Sequence, residues 1–228
     1  MKKLPKFERL ELLIGNKVKD LSNKTILILG CGGVGGYTIE SLVRSNVGKV
    51  IIVDNDIVNE SNINRQIIAL NSTIGKYKVD AFKERIKDIN SKCKVKTIKE
   101  FITKDNINIL FKEDIDYLVD ACDTIETKKS IITECINRNI KFITCMGTGN
   151  KMDPSKLKIT TLDKTEYDPI AKILRKYCRD NKINKKINVL CSTERPIKTN
   201  NRVVGSTSFV PSSAGLLITS YIIKDLIK

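Results

Sequence analysis

The chain has 228 residues, with 41 Lys and Arg against 26 Asp and Glu, a formal charge of +15, and no histidine. The missing imidazole excludes Ser-His-Asp and Cys-His catalysis and histidine metal sites, which leaves carboxylates, Lys, Arg, thiols, a bound metal or a good leaving group to carry any chemistry. The excess of positive charge suits a phosphate-rich polymer; the alternative is a lysine-rich composition solvated on every face.

Seven cysteines, at 31, 93, 122, 135, 145, 178 and 191, form no C-x-x-C pair. An odd number without such pairs argues against a disulfide framework and a structural zinc site. The opening MKKLPKFERLELLIG carries Glu8, Arg9 and Glu11 where a signal peptide needs an apolar core. The apolar stretch from Ala214 to Ile223 falls short of the roughly twenty residues of a membrane span and reads as a packed terminal helix. Cytoplasmic residence, with no transmembrane segment, is the expectation. At this length a single α/β domain is the economical architecture.

In chain order, Phe7 to Asn16 has apolar residues at 7, 10, 13 and 14, the spacing of an amphipathic helix, with Gly15 near its end. The stretch ILILGCGGVGG, residues 26–36, is an aliphatic run that breaks into glycines. It predicts a buried strand over 25–29, a tight turn, and a helix over 37–45. Glycines 30, 32 and 35 fit G-x-G-x-x-G, in which absent side chains let backbone amides approach a phosphate at a helix N-terminus. Alone the motif is weak, since many glycine clusters are merely tight turns; with a strand before it, a nucleotide is expected there.

Lys49 to Val53 predicts a second strand. Asp54 then follows Gly35 by 19 residues, close to where a Rossmann-type fold sets a carboxylate on ribose hydroxyls. The polar VNESNINRQ after Asp56 precedes a helix that carries Lys78 near its start. Arg65 could grip phosphate as a fork and Lys78 as a point charge; each could also be a surface cation. Further strands are predicted at 95–98 and 117–121, with a short helix at 107–111 between them. The second of these strands runs into Asp120, Cys122, Asp123 and Thr124. Asp123, at the carboxyl end of a parallel strand, is a candidate Mg²⁺ ligand or the N-cap of a helix over 125–137.

A fifth strand is predicted at 141–145. Beyond it, 157–162 alternates as a strand and 187–191 reads as another, both expected to join the sheet antiparallel, around a basic helix at 169–178. Lys172, Arg175, Lys176 and Arg179 lie in the densest basic run, a candidate tRNA surface or a solvated face. The expected fold is thus α/β, a Rossmann-like, mostly parallel sheet with antiparallel strands from the C-terminal half and helices on both faces.

Taken together, GCGGVGG, VDND, SNINRQ, Lys78 and DACDT resemble the adenylation core of the ubiquitin-activating-enzyme-like family, over about residues 7–145. The resemblance implies an ATP site in which Gly30, Gly32, Gly33 and Gly35 line the nucleotide, Asp54 meets the ribose, and Asp56 and Gln66 adjoin it. Asn62, Arg65 and Lys78 take phosphate, and Asp123 holds Mg²⁺. FERLELLIG resembles the segment whose arginine, here Arg9, reaches the partner subunit's site, so a homodimer is implied, with catalysis assigned to Arg65, Lys78, Asp123 and Arg9. Residues 146–228 resemble the substrate-side extension of the tRNA threonylcarbamoyladenosine dehydratases, through MDPSKLKITTLDKTEYDPIAKILRKYCR, LCSTERP and SFVPSSAGLLITSYII. The activity implied is ATP-dependent adenylation of the threonylcarbamoyl carboxylate in tRNA and cyclisation with loss of AMP. The loop between Arg195 and Ser208 is brief for that group, no cysteine is marked as a nucleophile, and a sulfur-relay or redox partner is left unassigned. Two rivals are kept: an activator of a small sulfur-carrier protein's C-terminus, and a non-catalytic dinucleotide-binding module.

Overall fold

In the computed structural model, residues 5–200 and 203–228 are described. The first residues of the segment compared above with a signal peptide, and two positions of the loop between Arg195 and Ser208, lie outside them. A single seven-stranded sheet is built from β1 (Thr25–Leu29), β2 (Lys49–Val53), β3 (Lys94–Ile98), β4 (Tyr117–Asp120), β5 (Phe142–Cys145), β6 (Leu157–Thr161) and β7 (Asn188–Ser192). The order across it is β3-β2-β1-β4-β5-β7-β6. Every pairing is parallel except that of β6 with β7. The antiparallel contribution expected of the C-terminal half is therefore β6; β7 runs parallel to β5.

Alternation along the central strands explains why helices cover both faces. In β1 and β2, Ile26, Ile28, Val50 and Ile52 enter one apolar cluster, while Leu27, Leu29, Ile51 and Val53 enter the other. A strand apolar on both sides is stable only between two layers. The first layer holds α3 (Gly33–Arg44), α4 (Lys78–Ile89) and the terminal α7 (Phe209–Leu226). The second holds α5 (Ile125–Asn137) and α6 (Pro169–Asp180). The N-terminal α1 (Glu8–Ile14) and α2 (Lys17–Leu21) precede β1, and only α2 buries residues, Val18 and Leu21.

Two helices begin earlier than their sequence suggests. α3 starts at Gly33, inside the glycine motif, and not at Tyr37. α7 starts at Phe209 and takes Pro211 into its first turn, where a missing N–H costs no intrahelical bond. Among the described residues no helix is long and apolar enough to cross a membrane.

Candidate active site

At the carboxyl edge of β1, β2 and β4 lies a cavity of about 460 Å³, and its floor is the glycine turn. The glycines serve different ends. Gly30 has φ +92°, and a Cβ there would meet the Ala121 carbonyl oxygen at 2.7 Å; a Cβ on Gly35 would fall 1.8 Å from the Gly30 carbonyl oxygen. These two let strand, turn and helix close on one another. Gly32 differs, since the nearest atom to a Cβ there is Gln66 Nε2 at 3.9 Å. Its bare backbone faces the cavity, where a ligand can approach closely.

Asp54, directly after β2, fastens the turn to that strand. Its Oδ2 accepts the Cys31 N–H at 2.6 Å, and its Oδ1 accepts the Asp56 N–H at 2.8 Å. Burial raises the Asp54 carboxyl above its ordinary range, against the opposing pull of Lys78 and of those two N–H groups. Asp56 in turn receives Lys78, whose Nζ donates to its Oδ2 at 2.6 Å and whose backbone N–H donates to its carbonyl at 3.0 Å.

The segment before α4 brings the remaining polar groups. Asn62, buried, accepts the Asn59 N–H at 3.0 Å and closes a capping box on the short 3₁₀ turn Glu60–Asn62. That turn presents Arg65, whose guanidinium donates to the Ser61 carbonyl at 2.9 Å and to Asn64 Oδ1 at 2.7 Å. Gln66 is buried against the same cavity, and its Oε1 has no hydrogen-bond partner. Asp123 also lines the cavity and is exposed. The N-cap of α5 is Thr124, and no side-chain bond caps it. Among the described residues no three carboxylates or thiols cluster to hold a metal unaided.

The cavity therefore brings together Gly30, Gly32, Gly33, Asp54, Asp56, Asn62, Arg65, Gln66, Lys78 and Asp123. Gly35 does not line it: this glycine is buried in α3, and its part is packing. Arg9 is exposed on α1 and outside the cavity of its own chain. On α6, Lys172, Lys176 and Arg179 are exposed, but Arg175 is turned inward, donating to the carbonyl and the hydroxyl of Thr165.

Sequence reasoning missed three groups of residues. Glu100, Phe101 and Ile102, just past β3, line one side, and Thr148, Ser206 and Pro211 bring the C-terminal half to the other. Beneath the site, Lys128 of α5 is fully buried, with Nζ 3.0 Å from Asp120 Oδ2 and 2.9 Å from the Cys145 carbonyl. Burial opposes its charge, yet Asp120 holds its pKa above the ordinary lysine value. The signal for Glu100–Ile102 and for Thr148 was topological, since they follow the carboxyl ends of β3 and β5; Ser206 and Pro211 follow no strand end and gave none. A lysine inside an otherwise ordinary helix gives no such sign.

All seven cysteines are free. The one that reaches the cavity is Cys122, not Cys178 or Cys191, and its Sγ donates to Asp120 Oδ1 at 3.0 Å. Burial pushes its thiol far above the ordinary range, and it also raises Cys178 and Cys191. A protonated thiol is a poor nucleophile.

The ThiF family profile matches residues 7–214. The chain belongs to the ThiF family. A ThiF relative from Bacillus subtilis (strain 168), tRNA threonylcarbamoyladenosine dehydratase, is 41% identical over 243 residues, covering 99% of this chain and 96% of the relative. Among solved ThiF-like structures, Escherichia coli tRNA N6-threonylcarbamoyladenosine dehydratase in complex with AMP superposes with a TM-score of 0.93 at 30% identity. That superposition covers 97% of this chain and 94% of the other. The same protein in complex with ATP gives a TM-score of 0.92 at 30% identity, covering 97% and 93%.

Proposed function

We propose that this ThiF-family chain is an ATP-dependent tRNA threonylcarbamoyladenosine dehydratase. It adenylates the threonylcarbamoyl carboxylate of a tRNA adenosine, and an atom of that same modified nucleoside then attacks the activated carbonyl and closes a ring as AMP leaves. The observation that carries this reading is the cavity itself: a bare Gly32 backbone, an unpartnered Gln66 Oε1, and Arg65, Lys78 and Asp123 around one space, in a chain alike end to end with a dehydratase.

The residues present fit ATP. Leu29, Val53, Phe101 and Ile102 give an apolar wall suited to a purine, and Asp54 keeps lone pairs for ribose hydroxyls beside the two N–H groups it already accepts. Gly32, Gly33 and the start of α3 offer backbone N–H groups to phosphate. Arg65 and Lys78 stabilise the negative charge that grows at the α-phosphate when a carboxylate attacks it. Mg²⁺ is commonly held by one or two carboxylates together with substrate phosphates; Asp123, which lines the cavity, would take that role, and an ion bound there would neutralise phosphate charge. Ring closure by a group already on the same nucleoside gains from proximity, so no histidine base is required.

Residues 1–145 and 146–228 would act as one adenylation unit, since strands of both share the sheet. The exposed Leu12 and Leu13 beside Arg9, 81% and 82% accessible, support a homodimer in which Arg9 completes the partner's site. The exposed cations of α6 would attract tRNA, and a cytoplasmic enzyme follows from that substrate. The test is AMP release from ATP. It should require tRNA bearing threonylcarbamoyladenosine and fail with unmodified tRNA; pyrophosphate exchange that needs a carrier protein and not tRNA would select the rival activator.

A further inference from the structure

Tyr167 sits just before α6 in a left-handed backbone conformation, φ +54°, with half of the residue open to solvent. A bulky residue rarely adopts that conformation, and such strain persists where the surroundings impose it. The Arg195 guanidinium lies over the Tyr167 ring, 4.7 Å from its centroid. An arginine plane on an exposed tyrosine is a ready stacking platform for an unpaired base.

Both members of the pair are tied to the cavity wall. Asp168, next to Tyr167 and buried, accepts the Gly147 N–H at 2.9 Å, and the buried Lys151 donates to the Gly147 carbonyl at 2.9 Å. Oppositely charged side chains thus clamp both sides of the residue before Thr148, which lines the cavity. On the other strand of the connection, Glu194 accepts the backbone N–H groups of Met152 and Asp153 at 3.0 Å. Ile197 donates to the Asn150 carbonyl at 2.8 Å, and Asn150 Oδ1 accepts the Gly205 N–H at 2.6 Å, beside Ser206 of the cavity. Glu194 is spent on these bonds, and Glu166 is the exposed acid beside the tyrosine. Lys172, Lys176 and Arg179 follow on the exposed face of α6.

We infer that Tyr167 and Arg195 form a base-stacking contact for an unpaired nucleotide of single-stranded RNA next to the one entering the cavity. The inference rests on the tRNA reading above. The stack supplies sequence-tolerant affinity, and the α6 cations supply the phosphate attraction. Because the contact is tied through Asp168 and Gly147 to Thr148, it sets where the neighbouring nucleotide enters.

The test uses the full-length protein and an RNA stem-loop carrying 2-aminopurine in its unpaired loop, with a blunt duplex as control. Tyr167→Asn removes the ring yet tolerates the left-handed backbone, and Arg195→Lys keeps the charge but not the plane. Each should weaken stem-loop binding about tenfold and remove the fluorescence change of stacking, with ATP affinity, melting temperature and duplex binding unchanged. Tyr167→Phe should behave as the parent. Parent-like binding and fluorescence in Tyr167→Asn, or equal losses on loop and duplex, would overturn the stacking contact. A parent protein that binds ATP but no stem-loop would instead bring down the tRNA reading on which it depends.

Discussion

Lys78 Nζ lies 2.6 Å from Asp56 Oδ2, and the two ends of this pair are unequally accessible: the lysine side chain is 6% exposed and the aspartate 58%. The cation is therefore fixed at the cavity wall, while its partner can turn to water. Its ion-pair partner Asp56 stays in water when Lys78 is removed, so the full penalty of breaking a buried pair does not apply, although Asp54 loses the cation that opposes its burial. Lys78→Ala should keep its melting temperature within a few degrees and lose adenylation by more than about a hundredfold, because the phosphate loses a preorganised cation. Calorimetric melting beside AMP release checks both halves.

The glycines of the turn separate binding from folding. A methyl at position 32 meets nothing of the protein closer than 3.9 Å, whereas one at position 35 would fall 1.8 Å from the Gly30 carbonyl oxygen. Gly32→Ala should fold normally and bind ATP at least about tenfold more weakly, since the methyl takes the room a phosphate needs. Gly35→Ala should fail to fold stably. Chemical denaturation and ATP titration of the two variants distinguish these outcomes; equal stability would contradict the division of labour.

Glu40 of α3 accepts from Arg85 of α4 at 2.7 and 3.0 Å and from Arg44 of its own helix at 2.7 Å. Burial alone would raise its carboxyl, but the two arginines outweigh it and hold it below the ordinary 4.5. A depressed acid stabilises the fold above its unfolded value and loses that contribution as pH falls through its folded value. Glu40→Gln should cost about 1–3 kcal/mol at neutral pH. The gap from the parent should hold from pH 7 to about pH 5 and narrow below the ordinary glutamate value, read from denaturation at each pH. A gap that is flat into strong acid would remove the ion pairs as its cause.

Arg9 is exposed on α1 and apart from its own cavity, which already contains Arg65. If the N-terminal segment serves a second copy, inactive Arg9→Ala and inactive Arg65→Ala subunits complement each other. Mixed dimers should recover about a quarter to a half of the parent AMP release, because one of the two sites then has both arginines. No recovery, in mixtures shown to exchange subunits, would restrict Arg9 to a role within one chain.

Much of this arrangement was legible in the sequence because it is local. The strand, glycine turn and acid of residues 25–54 are signalled by adjacent residues, and α5 fills the range its periodicity gives. What escaped depends on distant partners. α3 begins at Gly33, and its first turn can lie on the strand end only because Gly35 leaves room for the Gly30 carbonyl, a contact no helix propensity reports. Lys128 reads as a surface cation until β4 and β5 set Asp120, Thr144 and the Cys145 carbonyl around it, 1% and 0% exposed for the ion pair. Arg175 belonged to a basic run by sequence, yet its guanidinium is taken up by Thr165. Thr148 and Ser206 reach the site only because β7 and β6 extend the same sheet and Asn150 bridges to Gly205.

The central claim is best tested on the nucleoside itself. The protein is incubated with ATP, Mg²⁺ and tRNA carrying threonylcarbamoyladenosine, and the digested nucleosides are weighed by mass spectrometry. The account predicts loss of one water from that nucleoside, one AMP for each conversion, and neither in Lys78→Ala. An unchanged nucleoside mass from a protein that binds both ATP and the tRNA would contradict it.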